Sequence, residues 1–131
     1  MILLIPLRTY YTYFLIWGTS KEAYAEFSTD YVHIGEYLNQ LPDETPKYVI
    51  INRGGVDVRG IPSSAQTIMY LTNTFWEQNR IRRNFHYIIP DDLSTIPDLT
   101  GTNAIVTFLN SSDQQTTDRV KKIHPELKRF F

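Results

Sequence analysis

The feature that most constrains the fold is the alternation of three short strand-forming runs with amphipathic stretches. YVIIN at Tyr48–Asn52, FHYII at Phe85–Ile89 and AIVTFL at Ala104–Leu109 are rich in β-branched and aromatic residues. In the first run the apolar side chains fall on both faces instead of alternating, the mark of a strand covered from both sides in a parallel sheet. Parallel neighbours require crossovers, and the intervening segments have the length and pattern for helices. The order helix, strand, helix, strand, turn, strand, helix therefore predicts a small three-layer α/β domain with about three mainly parallel strands flanked by helices. A chain of 131 residues suits one core of this kind.

The first helix is expected over Lys21–Leu41, with Ser20 as cap. Tyr24, Phe27, Tyr31, Ile34, Leu38 and Leu41 form its apolar face, and Pro42 ends it. A second helix starts at Ser63, with Gln66 at capping-box spacing. Ala65, Ile68, Met69, Thr72, Phe75 and Trp76 make one apolar face, and Arg80, Arg82 and Arg83 close the region where positive charge suits a helix end. A helical turn is expected near Asp92–Ile96. Ser112 and Gln115 again have capping-box spacing, before a last helix over about Asp113–Ile123.

Residues 1–18 form an apolar, aromatic-rich leading segment, set apart from a single α/β domain over residues 19–131. MILLIPLRTYYTYFLIWG has Arg8 as its one charge, yet it is shorter than the roughly 20 apolar residues of a membrane span. Three readings stand: a buried element of the domain, the remnant of a membrane anchor, or a dimerisation element.

A formal charge of −1 supplies no global attraction for nucleic acid, so no nucleic-acid partner is expected. The absence of cysteine removes disulfides and thiolate metal sites. His33, His86 and His124 fall in separate elements, with His33 expected at the edge of the core. No ligand spacing of the H-E-x-x-H kind and no G-x-S-x-G elbow occurs, so neither a metal, a cofactor nor a hydrolase triad is expected.

The candidate site is the loop after the first strand. In open α/β sheets ligands gather beyond the carboxyl ends of strands. RGGVDVRG at Arg53–Gly60 places Gly54 and Gly55 where backbone can approach a ligand, and adds Asp57 as acceptor and Arg59 as anion-binding fork. The amides near Ser63 and Ser64 would face a phosphate. Asp91 and Asp92 follow the second strand and would reach the same edge. For each group a structural role competes: Asp57 and Arg59 pairing within a tight connection, Asp92 capping a turn. Asn110-Ser111-Ser112 matches the N-glycosylation pattern.

TYYTYFLIWG at Thr9–Gly18, AYAEFSTDYVHIGEYLNQLP at Ala23–Pro42 and YVIINRGGVDVRGIPSSAQTIMYLTNTF at Tyr48–Phe75, with the spacing to FHYIIP and AIVTFLN, resemble the extracytoplasmic domain of bacterial integral-membrane glycosyltransferases of the dolichyl-phosphate-mannose–protein mannosyltransferase family. Such enzymes transfer a sugar from a polyprenyl-phosphate donor, with catalytic acids in loops between membrane helices. The resemblance implies a non-catalytic accessory domain on the extracytoplasmic face of the membrane, shaping acceptor access or stabilising the enzyme. Its partners would be the membrane portion of a parent enzyme or a lipid surface, with a polyprenyl-phosphate sugar or acceptor as ligand. No catalytic residue carries over. Two other classes stay open: a phosphometabolite- or nucleotide-sugar-binding protein or small enzyme using Gly54–Ser64, and a protein-interaction module without a small ligand.

Overall fold

The computed structural model of the protein describes residues 4–18, 20 and 29–125. The chain divides into two compact units, Met1–Asp30 and Tyr31–Phe131. In the first, α1 (Leu4–Tyr10) runs on as a π-helix over Tyr11–Trp17. The Gly18 amide donates to the Tyr13 carbonyl at 2.9 Å, the wider i→i−5 closure of that helix type. Tyr10, Tyr11, Tyr13 and Phe14 are all exposed, and Tyr10 stacks on Phe14 with ring centroids 5.1 Å apart. Among the described residues, no helix is long and apolar enough to cross a membrane. Helix α2 (Thr29–Gln40) follows; residues 21–28 of the expected first helix lie outside the described residues.

The second unit is built on three parallel strands, β1 (Lys47–Ile50), β4 (Phe85–Ile88) and β5 (Ile105–Phe108), in the order β4-β1-β5. Lys47 pairs with Phe85 on one side and Ile105 on the other, and the register runs to Ile50 opposite Ile88 and Phe108. All four residues of β1 are buried, as its two-sided apolar pattern requires. Side chains alternate between faces, so the odd and even residues feed two cores. Val49, Ile51, Phe85 and Leu109 pack with Tyr31 and Leu38 of α2, and with Ala65, Ile68 and Met69 around α3 (Gln66–Leu71). Tyr48, Ile50, Val106 and Phe108 pack on the other face with Leu93, Ile96 and Leu99, and with Val120 of α5 (Gln114–Ile123). The result is a three-layer α/β domain.

The connection from β1 to β4 crosses on the α3 face, and that from β4 to β5 steps the opposite way on the other face. Opposite steps on opposite faces are what one constant crossover hand demands. Between β4 and β5 the expected helical turn is a 3₁₀ segment, Pro90–Thr95.

Three local expectations are corrected. The loop after β1 contains a small hairpin, β2 (Asp57–Val58) against β3 (Ile61–Pro62), followed by a 3₁₀ turn over Ser63–Ala65. The second helix does not run through to the arginines: it ends at Leu71, and α4 (Glu77–Arg82) starts separately. The break has a cause in three residues. The Thr72 hydroxyl turns back to the Ile68 carbonyl at 2.7 Å, Asn73 takes a left-handed φ of 52°, and Thr74 is drawn inward. Buried Thr74 Oγ1 lies 2.8 Å from Thr72 Oγ1 and 2.6 Å from the Tyr87 hydroxyl. With Thr74 anchored, Phe75 and Trp76 leave the core and are exposed. At the last helix the cap is Asp113, not Ser112: its carboxylate accepts the Thr116 amide at 3.1 Å.

Lys47, the first residue of β1, is fully buried. Its ammonium donates to the carbonyls of Pro42 (2.6 Å), Thr45 (2.9 Å) and Arg83 (3.1 Å), and closes the amino-terminal end of the sheet. Arg83 acts beside it, donating to Asp43 at 2.9 Å, to Asn39 at 2.8 Å and to the Thr72 carbonyl. One of the three clustered arginines is therefore a structural clamp.

Candidate functional site

The strand order places a topological switch point between β1 and β5, where the chain leaves toward opposite faces and where α/β folds usually open a crevice. Here that point is stitched. The Asn52 side chain donates to the Asn110 carbonyl at 2.8 Å and to the Asp113 carboxylate at 3.1 Å, and accepts the Asn110 amide at 2.8 Å. The amide thus continues the ladder two residues past the end of β1. Hydrogen bonding from Thr116, with a smaller contribution from Asn52, holds the Asp113 carboxyl below its ordinary range.

The residues singled out in the sequence divide between structural duty and open surface. Gly55 is a close-approach glycine: an added Cβ would stand 2.7 Å from Ser63 Oγ, 3.0 Å from the Ser64 amide and 3.1 Å from the Ser63 amide. Gly54 has open space around it. The Ser63 amide is engaged with the Val56 carbonyl at 2.8 Å, and Ser64 Oγ donates to the Arg53 carbonyl at 3.1 Å. Asp57 accepts the Gly60 amide at 3.0 Å and so fixes the hairpin turn. Asp91 and Asp92 sit exposed in the 3₁₀ segment after β4, and the Asp92 carbonyl accepts the Thr95 hydroxyl at 2.7 Å. None of these carboxylates takes part in an ion pair among the described residues.

Arg59 is different. Both central residues of the β2–β3 turn have positive φ, 58° at Arg59 and 81° at Gly60, as a type I′ turn requires. Glycine meets this freely, whereas an arginine there costs about 1 kcal/mol. Its side chain lies over two rings, with the guanidinium carbon 4.9 Å from the Trp76 centroid and 5.3 Å from that of Phe75. The two rings meet edge to face at 5.3 Å. Together with Glu77, Gln78 and Arg80 they line a surface cleft of about 410 Å³. Arg80 lies alongside, 3.4 Å from the Phe75 carbonyl. The sequence pattern places Phe75 and Trp76 on the apolar face of one helix and gives no sign that Arg59 meets them. The signal for the break was present in Thr72-Asn73-Thr74, three residues that favour local side-chain hydrogen bonds over helix.

The histidines stand apart. His33 is exposed, 3.9 Å from Glu36, rather than at the core edge. His86 stacks on Tyr48 with centroids 4.7 Å apart, and burial pushes its pKa below the ordinary value. His124 is buried at the end of α5. Among the described residues no three His, Asp or Glu side chains group as a metal site would need. Comparison with protein-family models, with curated proteins and with solved structures yields no match for this chain.

Proposed function

We propose that the α/β unit is a non-catalytic recognition domain, and that it serves as an extracytoplasmic accessory domain of a polyprenyl-phosphate-sugar-dependent membrane glycosyltransferase. The observation that carries the recognition reading is the contrast between two places in the fold. At the switch point the polar groups bind one another through Asn52, Asn110 and Asp113, whereas the Arg59–Trp76 cleft holds rings and guanidinium groups open to solvent. Ring faces and forks of N–H donors orient a ligand without making or breaking its bonds. The membrane-enzyme context draws on the resemblance of Thr9–Gly18, Ala23–Pro42 and Tyr48–Phe75 to that family's extracytoplasmic domain.

Two assays test the two halves. The isolated chain, incubated with polyprenyl-phosphate mannose, nucleotide sugars and peptide acceptors, is expected to release and transfer no sugar; sustained turnover sinks the non-catalytic reading. Membranes from source cells lacking the coding region for 31–131 are expected to lose polyprenyl-phosphate-sugar-dependent transfer. Undiminished transfer in those membranes sinks the glycosyltransferase context.

A second reading, a protein-interaction module, draws on the exposed Tyr10, Tyr11, Tyr13 and Phe14 of the first unit. Exposed apolar side chains crowded on one helix favour a partner surface. It predicts that replacing these four residues with serine abolishes association with a partner and leaves the cleft's properties unchanged.

A further inference from the structure

We propose that the cleft of Arg59, Trp76 and Arg80 binds a phosphate ester, with the phosphate on the two guanidinium groups and the organic part against the exposed indole. The proposal rests on the reading of this unit as a recognition domain and names the ligand class for it.

Two independent departures from local preference converge on this place. The β2–β3 turn carries an arginine at a φ of 58°, where glycine, asparagine or aspartate would sit without strain. What the arginine gains there is its position over Trp76 and Phe75. Separately, the Thr72–Thr74 break interrupts a helix whose next apolar residues would otherwise continue into the core, and it turns an adjacent Phe-Trp pair outward. Trp76 is 56% exposed, although indole is among the most costly side chains to leave in water. Backbone strain retained at a particular side chain points to the work of that side chain.

The chemistry of the cleft narrows the ligand. A guanidinium lying over a ring uses its face for the ring and keeps its N–H edge for oxygen acceptors. Neither Arg59 nor Arg80 forms an ion pair among the described residues, so two cations face one cleft with Glu77 as the carboxylate of its lining. A phosphate monoester, with up to two negative charges and three acceptor oxygens, matches two such forks better than a carboxylate does. Glu77 and Gln78 supply partners for hydroxyl groups of the organic part. The cleft volume of about 410 Å³ lies in the size range of small-ligand sites, and it exceeds what a bare phosphate would fill.

Phosphate esters occur free, as sugar phosphates, and in bilayers, as lipid headgroups, and the test separates the two. The whole chain is titrated calorimetrically with glucose 1-phosphate, glucose and glucuronate. It is also sedimented with vesicles of phosphatidylcholine, with and without phosphatidate. Saturable binding of glucose 1-phosphate, at least about tenfold tighter than glucose or glucuronate, assigns a soluble ester. Phosphatidate-dependent sedimentation without glucose 1-phosphate binding assigns a lipid headgroup.

The decisive variant is Arg59→Asn, because asparagine suits the left-handed turn and keeps the hairpin. Its melting temperature is expected to equal or exceed that of the parent, while affinity for the bound probe falls at least about tenfold, the loss of one charge-assisted hydrogen bond. Absence of binding to either phosphate probe overturns the site. So does equal affinity for glucuronate, or undiminished binding by R59N. Those failures leave the non-catalytic reading standing, since turnover and deletion assays address it separately.

Discussion

The side-chain amide of Asn52 grips the main chain of Asn110 from both sides, accepting its N–H and donating to its carbonyl, each at 2.8 Å. A side chain so placed acts as an extra rung between β1 and β5 beyond the last paired residues, Ile50 and Phe108. The third contact, to Asp113 at 3.1 Å, ties that rung to the cap of α5. Sheet edge, switch point and final helix are thereby one unit.

Removing that amide should be felt by the whole domain. Asn52→Ala leaves the half-buried Asn110 N–H without its acceptor and takes one of two donors from the Asn110 carbonyl, which keeps the Asp113 amide at 3.2 Å; at about 1 kcal/mol for each net hydrogen bond the loss is about 2 kcal/mol. Asn52→Asp should fare worse at neutral pH, because it sets a second carboxylate beside Asp113, and it should recover as acid neutralises the pair. Urea unfolding of both variants at two pH values checks this. Equal stability of N52A and the parent contradicts the stitched switch point.

The acid side of the stability curve follows from capped carboxylates. Asp113 is held below its ordinary pKa by hydrogen bonding from Thr116, and Asp98 by hydrogen bonding from Thr100. An unfolded Asp titrates near about 3.9. Between that value and the lower folded value the unfolded chain binds more protons, so stability is complete above the unfolded pKa and is lost as pH falls through the folded one. Asparagine is an equally good cap and does not titrate there. The stability of D113N should therefore fall less steeply than that of the parent between about pH 5 and about pH 1 in a denaturation series. Parallel curves would remove Asp113 from the acid transition.

How much of this was legible in the chain depends on the range of the cause. The two-sided apolar pattern of Tyr48–Asn52 is local and long enough to specify a central parallel strand, and β1 is buried throughout. The hairpin inside the glycine-rich loop was hidden because its turn uses Arg59 where glycine or asparagine would have announced it. Phe75 and Trp76 continue a helical period, and the local signal of Thr72-Asn73-Thr74 is completed only by the pairing of Thr74 with Tyr87, 13 residues away, which draws Thr74 inward. Lys47 was invisible for the same reason: its three carbonyl partners come from two separate segments. At the candidate site, the sequence offers Arg59 as an anion fork and the fold sets its guanidinium over Phe75 and Trp76, while Asp57 and Ser63 are engaged locally.

Adjacent glycines in that loop should behave differently. Gly55 approaches the Ser63–Ser64 backbone so closely that a methyl group would stand 2.7–3.1 Å from three atoms, whereas Gly54 meets nothing within 4 Å. Gly55→Ala must push the loop off the 3₁₀ turn, a strain of about 1–3 kcal/mol. Gly54→Ala should stay within about 0.5 kcal/mol of the parent. Thermal unfolding of the two single variants distinguishes them, and equal effects would mean that the close approach carries no stability.

The hydroxyl chain behind the cleft gives the last prediction. Thr72, Thr74 and Tyr87 hand hydrogen bonds along a buried line, and Tyr87 is packed beside the core of the α3 face. Burial pushes the Tyr87 phenol above its ordinary pKa, and the threonine hydrogen bonds pull it partly back. Since the folded value lies above the unfolded one, Tyr87 contributes stability that is complete below about pH 10 and is lost as pH rises through the folded pKa. Thr74→Val keeps the shape and deletes the hydroxyl, so the phenol should ionise at still higher pH. The Thr72 and Tyr87 hydroxyls then lose a partner, at about 1–2 kcal/mol. Ultraviolet titration reads the first effect and denaturant unfolding the second. Because Thr74 is also what holds the break after Leu71, the same variant should loosen Trp76 and weaken any ligand held in the cleft. An unshifted phenol with unchanged stability would show that the helix break does not depend on this chain of hydroxyls.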